Sequence, residues 1–600
     1  MTTMAVIDRS AMTAPEPRPT FAFGLGLAVI LLAGAALLYY IRASDIAQWR
    51  FLDADDIMRL QEVKDWLGGQ SWFDVTQYRI DPPAGLKMHW SRLLDVPLGA
   101  VILLLRPMLG EMEAERAACV IVPLLTFATL ALITTAIAWR VLRGSQFTLL
   151  APLFCAMNIG VFVIAVPMRI DHHGWQAACA LGMVWALLGP RTIRRVVIAG
   201  LCAAFWMHIS LEGIVFTAGC GAWLGLRWML KPEREGAILP AYMAATTVAS
   251  LGFFLIGHGG ALFDRTFCDA VSPVHMVVFA LAAIGSAAVV RVRPATLPVR
   301  AVALGGVALV CAATYKLWAP QCGGGPFAAL SPLTYRLWYQ HVSEGLPVWQ
   351  QSLAAGLGWI AFPLIGNIGA ALNIRNTPVD EREMAVDYAA LLFLATVIGL
   401  FVCRAGAFSN ILAVPGGIVL LRSVLAWVGT IRIGVLRVFL SALAFMAIFP
   451  LGLVFLTLIL FAPTGEARTG PSGDLCTAAS NIAHMNALPA STVMTTLVFS
   501  PELIFASHHT GVSAGYHRNV ASMDDTLRFF TSDEATAHDI MLRHHARYVL
   551  VCPGDGDLAI LTHAAPNGLA ARLPRGEAPS WLSPVAVPGL QYARVYAVNR

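Results

Sequence analysis

The apolar run FAFGLGLAVILLAGAALLYYI (Phe21–Ile41) is followed by the polar stretch FLDADDIMRLQEVKDWLGGQSWFDVTQYRIDPPAGLKMHWSR (Phe51–Arg92). The first is long enough to cross a bilayer, which takes about 20 mostly apolar residues. The second packs Asp53, Asp55 and Asp56 into four positions of a chain that is otherwise mostly apolar. Such a loop is where chemistry can meet water. The same alternation recurs along the 600 residues, which are 57% hydrophobic and only 13% charged, with a mean hydropathy of +0.67. Soluble domains carry about 25% charged residues, so the chain reads as a polytopic helical membrane protein.

Further apolar runs occupy 117–139, 147–166, 174–189, 194–208, 212–230, 239–257, 275–289, 299–318, 353–373, 387–403, 409–428 and 435–462. Together with the first they predict about thirteen spans, several of them short. The run 95–109 is interrupted by Pro97, Arg106 and Pro107 and is expected to lie in the interface. Counting it as a span would reverse the positive-inside pattern from Arg140 onward. With a cytoplasmic N-terminus, the basic clusters at Arg140/Arg143, Arg191/Arg194/Arg195, Lys231/Arg234, Arg291/Arg293, Arg375/Arg382 and Arg432/Arg437 all fall inside. The outer side then receives loops 42–116, 258–274 and 319–352, the turn 167–173, and everything after residue 463.

Residues 1–20, with Pro15, Pro17 and Pro19, read as a flexible cytoplasmic tail. Residues 21–463 form the membrane domain, and 464–600 a small soluble α/β domain on the outer, periplasmic face of the plasma (inner) membrane. Strands are expected at Thr495–Val498, Arg547–Val551 and Ala593–Val598, and helices near 524–544. Of the 11 cysteines, most sit in apolar runs as ordinary core residues. Cys268, Cys322, Cys476 and Cys552 fall in polar segments on the side where disulfides persist, and Cys268 with Cys322 is the pair expected. The net charge of +5 follows membrane topology and does not point to nucleic acid.

Acidic sites gather on that outer side. They are Asp53-Ala54-Asp55-Asp56, then Arg169-Ile170-Asp171-His172-His173, then Glu344 in His341-Val342-Ser343-Glu344. Carboxylates with imidazole suit Mg²⁺ or Mn²⁺, and such an ion can neutralise a diphosphate leaving group. Arg404, at the outer end of a span, has the fork that holds a phosphate. Taken singly, each has a plainer reading. Acids decorate helix starts, Arg169 can be the ion-pair partner of Asp171, and Arg404 can snorkel. Glu212, where a span begins, is the rarer kind of ionisable residue that defaults to function. The joint placement on one face favours the functional reading.

At these residues the sequence resembles the catalytic subunit of oligosaccharyltransferase and its archaeal and bacterial relatives, in the GT-C class of membrane glycosyltransferases. Asp53-Ala54-Asp55-Asp56-Ile57-Met58-Arg59-Leu60 stands where that family has a D-x-x-x-H-L-R type motif. Pro82-Pro83-Ala84-Gly85 and His89-Trp90-Ser91-Arg92 resemble the proline-glycine turn and tryptophan that come next in archaeal members. Asp171-His172-His173 matches their Asp-His-His. Val342-Ser343-Glu344-Gly345-Leu346-Pro347-Val348-Trp349 resembles the late loop that ends in a metal-supporting glutamate. The resemblance covers the layout of the whole chain and is sharp at these motifs only.

The resemblance implies transfer of a sugar or oligosaccharide from a polyprenyl-phosphate or -diphosphate donor to an acceptor at the outer face. Asp53, Asp171, His173 and Glu344 would hold the metal, with Asp56 as an alternative first-motif ligand. Asp53, Asp56 and Glu344 would be the catalytic carboxylates, and Arg404, Arg169 and His172 would face the donor phosphate. Trp90, His89, His508 and Tyr516 are the acceptor-side candidates. The Trp-Trp-Asp-Tyr-Gly motif that reads a protein sequon is not present; the place reads Thr495 to Leu503, then His508-His509 and Gly515-Tyr516-His517-Arg518-Asn519. A sequon acceptor is therefore not expected. The rival reading is a flippase for lipid-linked saccharides, which would place its polar groups at mid-depth in matched halves.

Overall fold

A computed structural model describes residues 19–260, 263, 265–461 and 476–599. Most of the tail 1–20 and the junction near 464 lie outside the described residues. Each expected apolar run is helical. Among the described residues, nine helices are long and apolar enough to cross a membrane, and Gly434–Ile448 with Pro450–Phe461 makes a tenth if counted as one span bent by 83°. Pro450 accounts for the bend, because it can neither donate to the helix ladder nor fit inside it.

The other expected spans fall short of full length for a physical reason. The run 147–166 breaks into Leu150–Ala156 and Ile159–Ile164, while His173–Leu187 has 15 residues and Ile193–Ile209 has 17. The first two are largely buried inside the bundle, where irregular backbone can find protein partners. Asn158 supplies them at the break, accepting from Gly160 N at 2.8 Å and donating to Asn410 O at 3.2 Å. Gly160 is required there, since a Cβ would lie 2.4 Å from Ala407 O.

The run 95–109 forms the helix Asp95–Leu109, 15 residues long with Pro107 inside. Leu98 and Ile102 are buried, while Leu103, Leu104, Met108 and Leu109 are exposed. That two-faced helix is too short to span, as expected for one lying in the interface.

The basic clusters meet at one end of the bundle. Arg191 pairs with Glu235 and Asp387, and Lys231, Arg234 and Arg227 all pair with Glu383, the last at 3.1 Å. The acidic loops and the C-terminal domain meet at the other.

That domain is built on a five-stranded sheet. Its strands are β3 (Thr492–Met494), β4 (Thr510–Gly511), β5 (Ala546–Val551), β6 (Leu582–Val585) and β7 (Arg594–Val598), after a hairpin β1 (Thr76–Gln77) and β2 (Leu86–Lys87) in the first loop. The order is β4-β3-β5-β7-β6, with β3 parallel to β4 and β5, and β7 antiparallel to both neighbours. The helices Val520–Thr531 and Glu534–Arg543 are the pair expected near 524–544. The strand expected at Thr495–Val498 lies three residues earlier, at Thr492–Met494, and Leu497 packs in the domain core.

The first loop docks on the exposed edge of β4, which removes a strand edge from solvent. Asp81 N donates to Gly511 O at 2.9 Å and Gly511 N to Arg79 O at 2.8 Å. The hairpin turns through Gly85 at φ +77°, where a Cβ would meet Thr76 Cγ2 at 2.6 Å. Loop 319–352 docks on the same domain. Ser331 and Thr334 hydroxyls both donate to Asp524 at 2.5 Å, and Leu337 joins the domain core. Disulfides Cys268–Cys322 and Cys476–Cys552 link loop 258–274 to loop 319–352 and close a loop within the C-terminal domain.

Candidate active site

Between the bundle and the C-terminal domain lies a cavity of about 1200 Å³. Its floor comes from the helix ends, its walls from the docked loops. Asp53, Asp55, His172, His173, Glu212, Glu344 and Arg404 all line it. Residues far apart in the chain thus reach one space.

The Asp cluster divides its work by helix geometry. Asp53 is the N-cap of Ala54–Leu67, its carboxylate accepting from Asp55 N at 3.1 Å. Successive residues on a helix point about 100° apart, so Asp55 and Asp56 face different ways. Asp55 faces the cavity. Asp56 is fully buried behind it, accepting from Ile170 N at 2.7 Å, Asp171 N at 3.0 Å and Arg169 Nη1 at 3.0 Å. Asp56 therefore does not present its carboxylate to the cavity as expected. It anchors the backbone of the Asp171 turn.

Arg169 is the hub of this turn. Its guanidinium lies 3.3 Å from Asp53, 3.0 Å from Asp56 and 2.8 Å from Asp171. It serves as the shared cation of three carboxylates and is buried among them. Asp171 Oδ1 caps His173 N at 3.0 Å, and its Oδ2 stands 3.6 Å from His173 Nε2. Burial works against the Asp171 charge, but Arg169 and His173 outweigh it and hold the carboxyl below its ordinary range. Asp55 goes the other way: burial and the neighbouring carboxylates of Asp53, Glu344 and Asp171 raise it well above.

Glu344 and Arg404 meet from two segments. Arg404 Nη1 lies 3.2 Å from Glu344 Oε1, and its Nη2 is 2.6 Å from Glu212 Oε1. The backbone locks the pair, since Arg404 N donates to Glu344 O at 2.9 Å. Glu212 thus joins the site as a partner of Arg404.

Trp90 and Tyr516 form the adjoining wall. Their rings pack edge to face at 5.5 Å, and Trp90 reaches His172 at 5.9 Å. Behind Trp90, Arg59 lies 4.4 Å from its ring and is held by Asp95 at 2.9 Å. The first-motif arginine is therefore a support for the wall. Tyr516 and Trp90 are almost fully buried, yet Trp90 Nε1, Tyr516 Oη and His172 Nδ1 have no aligned hydrogen-bond partner in the chain. Buried donors without partners cost about 1–3 kcal/mol each, which is expected where a ligand completes them. His89 sits next along the wall, 4.7 Å from the His517 ring. His508 does not join: it is exposed, and its Nε2 contacts Leu488 O at 2.9 Å.

Sequence reasoning passed over Asp269 and His517, which also line the cavity, and Glu502 and Asp557 from the C-terminal domain. Burial raises Glu502 to about 8 and Asp557 to about 7. No local signal marks these residues, because each reaches the cavity only through tertiary docking.

This fold, a helical bundle with long loops and a C-terminal domain docked around an acidic cavity, is similar to that of the archaeal oligosaccharyltransferase of Archaeoglobus fulgidus, AglB. Its structure in complex with an inhibitory peptide and a dolichol-phosphate matches at TM-score 0.68 and 12% identity, covering 92% of this chain and 72% of that one. The same enzyme tethered to an acceptor peptide containing the NVT sequon matches at TM-score 0.66 and 12% identity, over 96% and 74%. The form in complex with Zn and sulfate matches at TM-score 0.59 and 13% identity, over 95% and 73%. No protein-family model and no curated protein sequence matches the chain.

Proposed function

We propose that the protein is a membrane glycosyltransferase that moves a sugar or oligosaccharide from a polyprenyl-(di)phosphate to an acceptor at the outer face. The carrying observation is that Asp53, Asp55, Glu344 and Arg404, from three separate segments, line one cavity, with Asp171 buried beside it and tied to Asp53 through Arg169. The Archaeoglobus enzyme has been seen in complex with a dolichol-phosphate, in keeping with a lipid-linked donor here.

In this reading the acceptor atom attacks the anomeric carbon in one displacement with inversion. The bond to the phosphate oxygen breaks and the polyprenyl (di)phosphate leaves with the electron pair. Arg404 gives the phosphate its paired N–H donors, and His172 adds a hydrogen bond. Asp53 or Asp55 takes the acceptor proton, within reach as general base. Asp56 and Arg169 act through the turn they hold.

The expected cation ligands are Asp53, Asp171, His173 and Glu344. Asp171 Oδ2 lies 2.8 Å from Arg169 Nη2 and 3.6 Å from His173 Nε2, Glu344 is paired with Arg404, and no three of these residues bring one ligand atom each within 4.8 Å of one another. Asp53, Asp171, His173 and Glu344 would hold Mg²⁺ or Mn²⁺ only when drawn closer than in this arrangement, and the ion would then stabilise the leaving phosphate as a Lewis acid.

The acceptor is not assigned to a sequon asparagine, since the Trp-Trp-Asp-Tyr-Gly motif is missing from the outer domain. The test is incubation of the purified protein with a lipid-linked sugar and a divalent cation. Release of polyprenyl phosphate by the wild type, lost in Glu344→Gln, supports transfer. Movement of intact donor across a vesicle without release identifies a flippase instead.

A further inference from the structure

A second group of ligating side chains lies on the cavity wall, built from residues that the transfer site does not use. His89 comes from the first loop, Asp269 from loop 258–274 beside the Cys268–Cys322 bridge, and His517 from the outer domain. One ligand atom from each lies within 4.8 Å of the others, and among the described residues no other group of three or more His, Cys, Asp or Glu meets that spacing.

The plain reading is an ion pair that ties three outer segments together. Asp269 Oδ2 accepts from Arg518 Nε at 2.7 Å and His517 Nε2 at 2.8 Å, and Oδ1 accepts from Arg518 Nη2 at 2.9 Å. That account leaves His89 unexplained. Its Nδ1 is buried with no partner. An imidazole gathered with a second imidazole and a carboxylate, one ligand atom from each within 4.8 Å of the others, is an arrangement in which histidine binds metal.

We propose that His89, Asp269 and His517 form a second divalent-metal site, selective for zinc, with an open position toward the cavity. Two imidazoles and one carboxylate are a common zinc set, and three protein ligands leave the fourth place to water or substrate oxygen. The ion takes the place of the proton between His517 Nε2 and Asp269 Oδ2. Arg518 keeps its bidentate hold on Asp269 and orients the carboxylate, as outer-shell partners of metal ligands do. The site joins the first loop, loop 258–274 and the outer domain, so its occupancy would brace the cavity wall next to Trp90. Zinc binding here does not depend on the glycosyl-transfer reading.

The test is zinc content, by elemental mass spectrometry, of the full chain in detergent after chelator treatment, loading with ZnCl₂ and desalting. It is run in an Asp171→Asn background, which disables the carboxylate cluster as a competing site. The expected result is one zinc per chain in that background, with retained zinc falling about tenfold or more on adding His517→Gln. X-ray absorption at the zinc edge should show two imidazoles. If His517→Gln does not fold, His89→Gln is read in the same way. The proposal is overturned if the Asp171→Asn protein retains no zinc, if its zinc has no imidazole neighbour, or if His89→Gln and His517→Gln both keep the full equivalent.

Discussion

The bundle gathers charge at both ends, but it handles that charge differently. At the basic end, Arg191, Arg227, Lys231 and Arg234 face Glu235, Glu383 and Asp387, each within 4.0 Å of an opposite charge. Trp223 Nε1 adds a hydrogen bond to Asp387 at 3.0 Å. Charges of both signs are nearly matched, and the group behaves as a knot between helices. At the acidic end, Asp53, Asp55, Asp56, Asp171, Glu212 and Glu344 share Arg169 and Arg404. Negative charge is in excess there, and it borders a large cavity. An excess held in place by folding is characteristic of a binding site, because a proton, a cation or a hydrogen-bonding substrate relieves it.

That contrast can be broken by substitution at either end. The largest effect is expected for Asp53→Ala, which should cut transfer about 100- to 1000-fold, in line with loss of one group acting at the reacting centre. Initial rates of polyprenyl phosphate release measure it. Asp387→Ala leaves Arg191 and Arg227 short of a buried partner and should cost about 3–5 kcal/mol of stability. Thermal unfolding in detergent measures that loss, and activity per folded molecule should stay unchanged. Asp56→Ala lies between the two kinds. It frees the Ile170 and Asp171 N–H groups and should cost about 1–3 kcal/mol together with a fall in rate.

A smaller change sharpens the comparison within the acidic end. Arg404→Lys keeps the charge and loses the fork, so KM for the lipid-linked donor should rise about tenfold. His508→Ala, outside the cavity, should shift neither rate nor stability by more than about 0.5 kcal/mol.

Much of this organisation was legible in the sequence. Long apolar runs gave the helices, and the arginine pattern put Asp53, Asp171, Glu344 and Arg404 on one side. Asp171 and Arg404 sit in short turns at helix ends, where the side of the membrane nearly fixes position; Asp53 and Glu344 lie in the long loops 42–116 and 319–352 and reach the cavity through docking. The exceptions have physical causes. Asp55 and Asp56 differ by one helical step, and composition does not say which faces inward. His508 shares a His pair with His509, but the loop turns it to solvent. Asp269 meets Arg518 across 249 residues, a contact set by docking of the outer domain and carried by no local pattern. The span count ran ahead of the full-length helices because the inner ones are broken or shortened inside the bundle, as at Asn158, where protein groups partner the irregular backbone.

The central claim is that carboxylates from distant loops act together on a lipid-linked sugar. Its most direct test compares polyprenyl phosphate release by the wild type and by Asp171→Asn, at matched thermal stability and saturating divalent cation. The account predicts release by the wild type and a loss of about 100-fold or more in the variant. Equal release by both proteins would contradict it.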